Sequence, residues 1–340
     1  MEQRQQTKRF GISMILCACI LRLGMTGVPG MVFHRLAQVA GRSGPTYSET
    51  GQNVRFSASK GALSDFFRES PAPRFPAAEM PVFSAEDAAL VEMDYDCTLR
   101  PDLEALMEQP LNWDLTKEEP TVLILHTHTT ESYTRSGEDY AETSEYRTLD
   151  ETCNMLSIGA EAAKILTQAG IGVIHDRQIH DYPSYNGSYI LSRAAAEEIL
   201  AQYPSICLVL DLHRDAIEKN GAQLRPVAQV DGTPAAQLML VVGTDVSRPS
   251  HKNWQENLAL ALKLQVQLER LAPGITRPLN LRTQRFNQDL SPGALLVEVG
   301  AAGNTRQEAL AAVRTLAEAV AALARGVQTE APHSPALPDS

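Results

Sequence analysis

Short apolar runs that end in polar clusters alternate with stretches of helical periodicity over residues 118–328. The first run, VLIL at 122–125, has no polar position on either side, the pattern of a strand buried on both faces of a sheet. It opens directly into His126, Thr127, His128, Thr129, Thr130 and Glu131. Residues 154–169 then place Met155, Ile158, Ala162, Ile165 and Leu166 on one helical face, with Gly170 as the C-terminal stop. A short apolar strand at 171–175 follows, so the order strand, helix, strand predicts a right-handed parallel crossover. A loop at 181–189, DYPSYNGSY, is expected to shape a groove, and a helix is predicted from about 191 to 202.

The strongest strand pattern is ICLVLDL at 206–212, which ends in His213, Arg214 and Asp215. Segments 227–230 and 237–242 flank an Asp231-Gly232 turn and read as a hairpin or paired strands. Helix 257–271, a strand and bend at 279–287, a strand at 294–300 and an Ala-rich helix at 305–324 complete the pattern. The expectation is an α/β fold, a mostly parallel twisted sheet with helices on both faces, in a single catalytic domain over 118–328. Ligands of such sheets bind beyond the C-terminal strand ends, where these polar clusters fall.

Upstream the chain changes character. Arg4, Lys8 and Arg9 precede an apolar run, so residues 1–33 read as a membrane anchor or signal, with an uncleaved single-pass anchor preferred. Residues 34–117 contain the turn-rich GRSGP and the proline-rich SPAPRFPAAEMP. They are expected to form a partly disordered spacer with one or two short helices, such as 59–68. Residues 329–340 are expected to be a disordered tail.

Composition narrows the function classes. A net charge of -11 without clustered Lys and Arg argues against sequence-independent nucleic-acid binding. The five cysteines form neither a zinc ribbon nor a disulfide scaffold. Their spacing permits a Cys97–Cys153 bridge in an oxidising compartment, and Cys207 reads as core. The chain offers no G-x-S-x-G elbow and no Gly-rich phosphate loop after a strand, which leaves serine-hydrolase and nucleotide-binding readings without support.

The polar groups at the strand ends point to zinc hydrolysis. His128 and Glu131 form an H-x-x-E pair, and with His213 they make a His2Glu set that leaves one tetrahedral position open. Glu298, between Val297 and Val299, is a carboxylate in a strand that should be apolar, and is the candidate general base. His126, two residues from His128 and expected on the same side of the strand end, is its rival as a ligand, or a substrate or supporting contact. Glu151 is the alternative third ligand. Arg214, Asp215 and Asn287 are candidates for contacts to substrate or behind the ligands, whereas His175 and His180 read as surface residues.

The segments VLILHTHTTESY, HDYPSYNGSY, LVLDLHRDA, VVGTD, NWQENLALALKLQ and RFNQDLSPGALLVEVGAAGNT resemble, in order and spacing, the stage II sporulation protein P family over about 121–324. That resemblance implies a fold of the zinc amidase/carboxypeptidase type and a Zn2+-dependent hydrolase of peptidoglycan. It implies cleavage of the N-acetylmuramoyl-L-alanine amide bond, with stem-peptide cleavage as a second activity, during engulfment in sporulation. It also implies a membrane-anchored, extracytoplasmic domain that works with a lytic transglycosylase and a membrane scaffold protein. The metal histidines fall on the HTH element and His213, and the catalytic glutamate on Glu298. Asn154 and Met155 stand about where the resembled amidases carry their glutamate ligand, so Glu131 or Glu151 must replace it. His128 is preferred over His126 because it follows the strand where the zinc histidine of those amidases does. A metallopeptidase confined to cross-links and a non-catalytic wall-binding scaffold are the competing readings.

Overall fold

The computed structural model describes residues 80–111, 113–134, 146–246, 251–326 and 328–329, all within one compact unit, Phe67–Ser340. The expected anchor, the helix at 59–68 and the tail beyond 329 lie outside these residues, as do residues 135–145. Among the described residues no helix is long and apolar enough to cross a membrane.

A seven-stranded sheet carries the domain. Its strands are β1 (Met93–Asp96), β2 (Val122–Leu125), β3 (Val173–His175), β4 (Leu208–Asp215), β5 (Leu238–Gly243), β6 (Leu279–Arg282) and β7 (Ala294–Ala301). They lie side by side in the order β1, β6, β5, β7, β4, β2, β3. Within this sheet every neighbouring pair is parallel except β5–β7. The helices are α1 (Leu103–Met107), α2 (Met155–Gln168), α3 (Ser188–Gln202), α4 (Trp254–Leu271) and α5 (Arg306–Ala322).

Strand alternation sorts the side chains onto the two faces of the sheet, with a large core on one and smaller clusters on the other. Val122, Ile124, Leu208, Leu210, Leu212, Val297 and Val299 face α2, α4 and α5 in the large one. Leu123, Leu125, Val209 and Ala294 face the other way, against Ala196, Ile199 and Leu200 of α3. The α/β expectation therefore holds, with α2, α4 and α5 packed on one face of the sheet and α3 on the other. Side-chain caps fix where helices begin. The Asn154 side chain accepts from Leu156 N at 3.0 Å, and Thr305 and Glu308 form a reciprocal capping box at the start of α5.

The domain begins earlier than the expected boundary at 118. β1 pairs with β6, and Lys263, fully buried on α4, donates to Leu106 O at 2.8 Å to tie down α1. Trp113 Nε1 donates to Leu323 O at 2.8 Å, and Leu115 N to Ala324 O at 2.7 Å. Residues 80–117 thus belong to the folded unit, not to a spacer. The reading missed them because MDYD in β1 is a polar edge strand with little hydrophobic signal.

The hairpin expectation also changes. Asp231 (φ 49°) and Gly232 (φ 76°) turn Val227–Val230 back onto Thr233–Ala236. Two positive φ values in succession are what a tight primed turn demands. β5 is thereby free to pair with β6 and β7. The permitted bridge between Cys97 and Cys153 is not formed.

Gly159 on α2 makes room beneath the sheet. A Cβ there would overlap Nε2 of both His126 and His175. Gly159→Ala is therefore expected to lower stability by about 1–2 kcal/mol, the overpacking penalty exceeding the gain in helix propensity. A thermal melt equal to or above that of wild type would contradict this packing.

Candidate active site

The turn that follows β2 sends its two histidines in opposite directions. His126 continues the alternation of Val122 and Ile124 and enters the large core, where Nδ1 meets Leu212 O at 3.1 Å and Nε2 meets His175 Nε2 at 2.9 Å. Both its ring nitrogens are engaged. Burial pushes its pKa down to about 4, against the pull of the Leu212 carbonyl. The expectation that His126 and His128 share a side fails because residues 127–130 leave the strand in a turn.

His128 faces the α3 side. Its ring stacks on Tyr185 at 4.4 Å, stands edge-on to Tyr189 at 5.5 Å and edge-on to His213 at 5.1 Å. Its Nδ1 is buried without a hydrogen-bond partner. Burial lowers this imidazole to about 4, outweighing the attraction of Glu131, so its lone pair is available at neutral pH.

Glu131 sits 4% exposed between several cations. Its Oε1 lies 3.3 Å from Arg147 Nη2 and 3.5 Å from Arg214 Nη1, and Oε2 accepts from Arg214 N at 3.2 Å. Burial alone would raise the carboxyl, but Arg214 and His213 bring it down to about 2. Arg214 also donates from Nε to Ser132 O at 2.9 Å and from Nη2 to Tyr146 O at 3.0 Å, which clasps the Glu131 turn to β4.

His213 and Glu298 are partners in register across β4 and β7, and therefore project side by side from one face. His213 Nδ1 lies 3.5 Å from Glu131 Oε2, and Nε2 lies 3.0 Å from Asp211 Oδ1 but off the hydrogen-bonding axis. Burial disfavours a charge on this ring, yet Asp211 and Glu131 hold its pKa well above the usual value. Glu298 is half-buried, with Oε2 shielded and lacking a partner. Burial, opposed by His213 and reinforced by Glu131 and Asp215, raises its carboxyl to about 8.

The remaining candidates stand around this group. Asp215 accepts from Arg277 Nη1 at 2.8 Å, and Asn287 Nδ2 donates to Tyr189 O at 2.8 Å and Ser192 Oγ at 3.3 Å, bracing the Tyr189 wall. Glu151 is exposed and paired with Arg177. The two histidines expected at the surface are enclosed. His175 is half-buried against His126, and His180 is 3% exposed, with Nε2 at 2.8 Å from Asp176 Oδ2.

Asp211, Arg147 and Asp181 were not singled out by sequence. Asp181 accepts from Thr130 Oγ1 at 2.7 Å and Arg147 Nη1 at 2.6 Å, and so anchors the turn between His128 and Glu131. Asp211 was legible in principle, since a residue two before His213 on a strand shares its face.

Zinc, which the family resemblance implies, can be tested against this donor set. Among the described residues no three His, Cys, Asp or Glu side chains already stand at cation-holding distance, and Arg147 and Arg214 engage Glu131. The donor chemistry nevertheless fits. His128 offers an unpartnered buried nitrogen, and two carboxylates keep a positive charge on His213. A site that holds a proton between two carboxylates accommodates a cation in its place.

A family model described as Stage II sporulation protein P (SpoIIP) matches residues 76–321, most of the chain. The chain belongs to the stage II sporulation protein P family. The Stage II sporulation protein P of Bacillus subtilis (strain 168) is 28% identical over 214 residues, covering 60% of this chain and 51% of that protein. The match thus spans about half the length of the curated relative. Among solved structures, the N-acetylmuramoyl-L-alanine amidase AmiC2 of Nostoc punctiforme aligns with TM-score 0.35 and 17% identity, over 59% of this chain and 93% of that one. The CwlD amidase from Clostridioides difficile, in complex with the GerS lipoprotein, aligns with TM-score 0.36 and 14% identity over 59% and 94%. Likeness at that level carries no weight for the chemistry of the site.

Proposed function

We propose that this family member is a zinc-dependent peptidoglycan hydrolase that cleaves the N-acetylmuramoyl-L-alanine amide bond, with stem-peptide bonds as further substrates, during engulfment in sporulation. The observation that carries the reading is the gathering of His128, Glu131 and His213 beside Glu298. His128, Glu131 and His213 would hold the cation. When bound, zinc supplies Lewis acidity toward the scissile carbonyl and toward water. Glu298 takes the proton from the attacking water and returns it to the amide nitrogen as the C–N bond breaks. Tyr185 and Tyr189 wall the His128 side of the group.

Family membership supports a place in sporulation, and the basic-flanked apolar segment at 1–33 supports a membrane-anchored, extracytoplasmic enzyme. A lytic transglycosylase is the partner this reading calls for, since glycan strands and stem peptides must both be cut to thin a wall. Product analysis on purified peptidoglycan tests the reaction. An amidase leaves intact lactyl groups and frees L-alanine amino termini. Cleavage of cross-links alone would make the protein a metallopeptidase, and no soluble product with zinc present would leave a binding scaffold.

A further inference from the structure

Asp211 has no part in the chemistry described so far, yet it is 4% exposed and held on both oxygens. Oδ1 accepts from Thr127 N at 2.8 Å and Oδ2 from Thr127 Oγ1 at 2.6 Å. That hydroxyl in turn lies 2.8 Å from Ser192 Oγ on α3. The carboxylate is thus fixed between the end of β2 and the start of α3. The same Oδ1 lies 3.0 Å from His213 Nε2, while Nδ1 of that ring faces Glu131 Oε2 at 3.5 Å.

We propose that Asp211 is a positioning residue for His213: its fixed carboxylate, 3.0 Å from Nε2 though off the hydrogen-bonding axis in the zinc-free ring, draws the ring proton to that nitrogen and leaves Nδ1 as the lone-pair atom turned toward Glu131 and the cation. The inference rests on the zinc reading above. It follows from the two-sidedness of imidazole, in which the partner of one nitrogen decides what the other can do. A histidine ligand whose far N–H is held by a carboxylate is both oriented and made more basic. Thr127 supplies what orients Asp211 itself, so a residue of the turn that carries His128 also sets the angle of His213. This couples the two histidines without direct contact between their nitrogens.

A purely structural role for Asp211 would consist of its two bonds to Thr127. Asp211→Asn keeps that role, because its amide oxygen still accepts Thr127 N–H and its amide group can donate to the hydroxyl. Thr127→Val does the reverse, removing the hydroxyl bond while leaving Asp211 Oδ1 beside His213. Zinc dissociation constants are measured by competition with a chromophoric chelator, and melting temperatures on the zinc-free proteins. Asp211→Asn is expected to weaken zinc about 10–100-fold, whereas Thr127→Val lowers the melting temperature and changes zinc affinity less than about 3-fold. Unchanged affinity in Asp211→Asn, or equal weakening in Thr127→Val, overturns the proposal. Should Asp211→Asn fail to fold, long-range 1H–15N correlation on the zinc-loaded wild type decides. The expected result is a proton on His213 Nε2 and none on Nδ1, and the opposite tautomer refutes it. Failure of wild type to bind zinc at all would remove the zinc reading and this proposal with it, an outcome distinct from either variant result.

Discussion

Glu298→Gln is expected to cut peptidoglycan hydrolysis by about 10²–10⁴-fold while zinc content stays unchanged, because glutamine cannot accept the proton of the attacking water. The same change is expected to stabilise the zinc-free protein at alkaline pH. Burial raises the folded-state carboxyl to about 8, above its ordinary value of 4.5. A raised carboxyl pKa means that the folded state binds a proton which the unfolded chain has released, so stability is full below 4.5 and falls as pH rises toward 8. Each unit of that interval is worth about 1.4 kcal/mol, which makes roughly 5 kcal/mol an upper bound for a side chain that solvent partly reaches. Glutamine removes the loss. Melting curves in chelator at pH 5 and 8.5 should show a variant that matches wild type at the lower pH and exceeds it at the higher. An advantage that does not grow with pH would show that Glu298 is not desolvated as described. The residue that acts as base is then also one the zinc-free fold tolerates poorly.

The two histidines of the HTH element should separate cleanly by measurement. His128→Ala is expected to lose both zinc and activity, since it removes a buried, unpartnered nitrogen on the ring that stands edge-on to His213. His126→Ala should keep stoichiometric zinc and lose about 2–3 kcal/mol of stability instead. That cost arises because it leaves a cavity in the large core and strips the partners from Leu212 O and His175 Nε2. Metal analysis on the purified variants, with chemical denaturation alongside, distinguishes the roles. Loss of zinc from His126→Ala with His128→Ala still loaded would reverse the assignment.

Much of this arrangement could be read before any coordinates. The strands VLIL, ICLVLDL and ALLVEVG declared themselves because buried strands of a parallel sheet are apolar on both faces. Against such a background His213 and Glu298 are conspicuous. What was hidden depends on chain direction after a strand ends. Periodicity places Leu125, but it says nothing about the turn that swings His128 to the face opposite His126. Distant partners were hidden too. His175 looked like a surface residue because only the tertiary fold sets it against His126, and Glu151 remained a ligand candidate until its position beside Arg177 was known. Asp211 was not singled out within its apolar run, and its meaning lies in Thr127, 84 residues away.

The edge strand β1 has a consequence for how the protein is made. Met93–Asp96 is the first strand of the sheet to leave the ribosome, yet its neighbour is Leu279–Arg282, nearly the last. A nascent chain therefore carries this segment unpaired until most of the domain has been synthesised, and loop closure over such a separation is slow. Its composition suits the wait: MDYD is too acidic and too short to recruit a wrong strand while the correct one is still unmade.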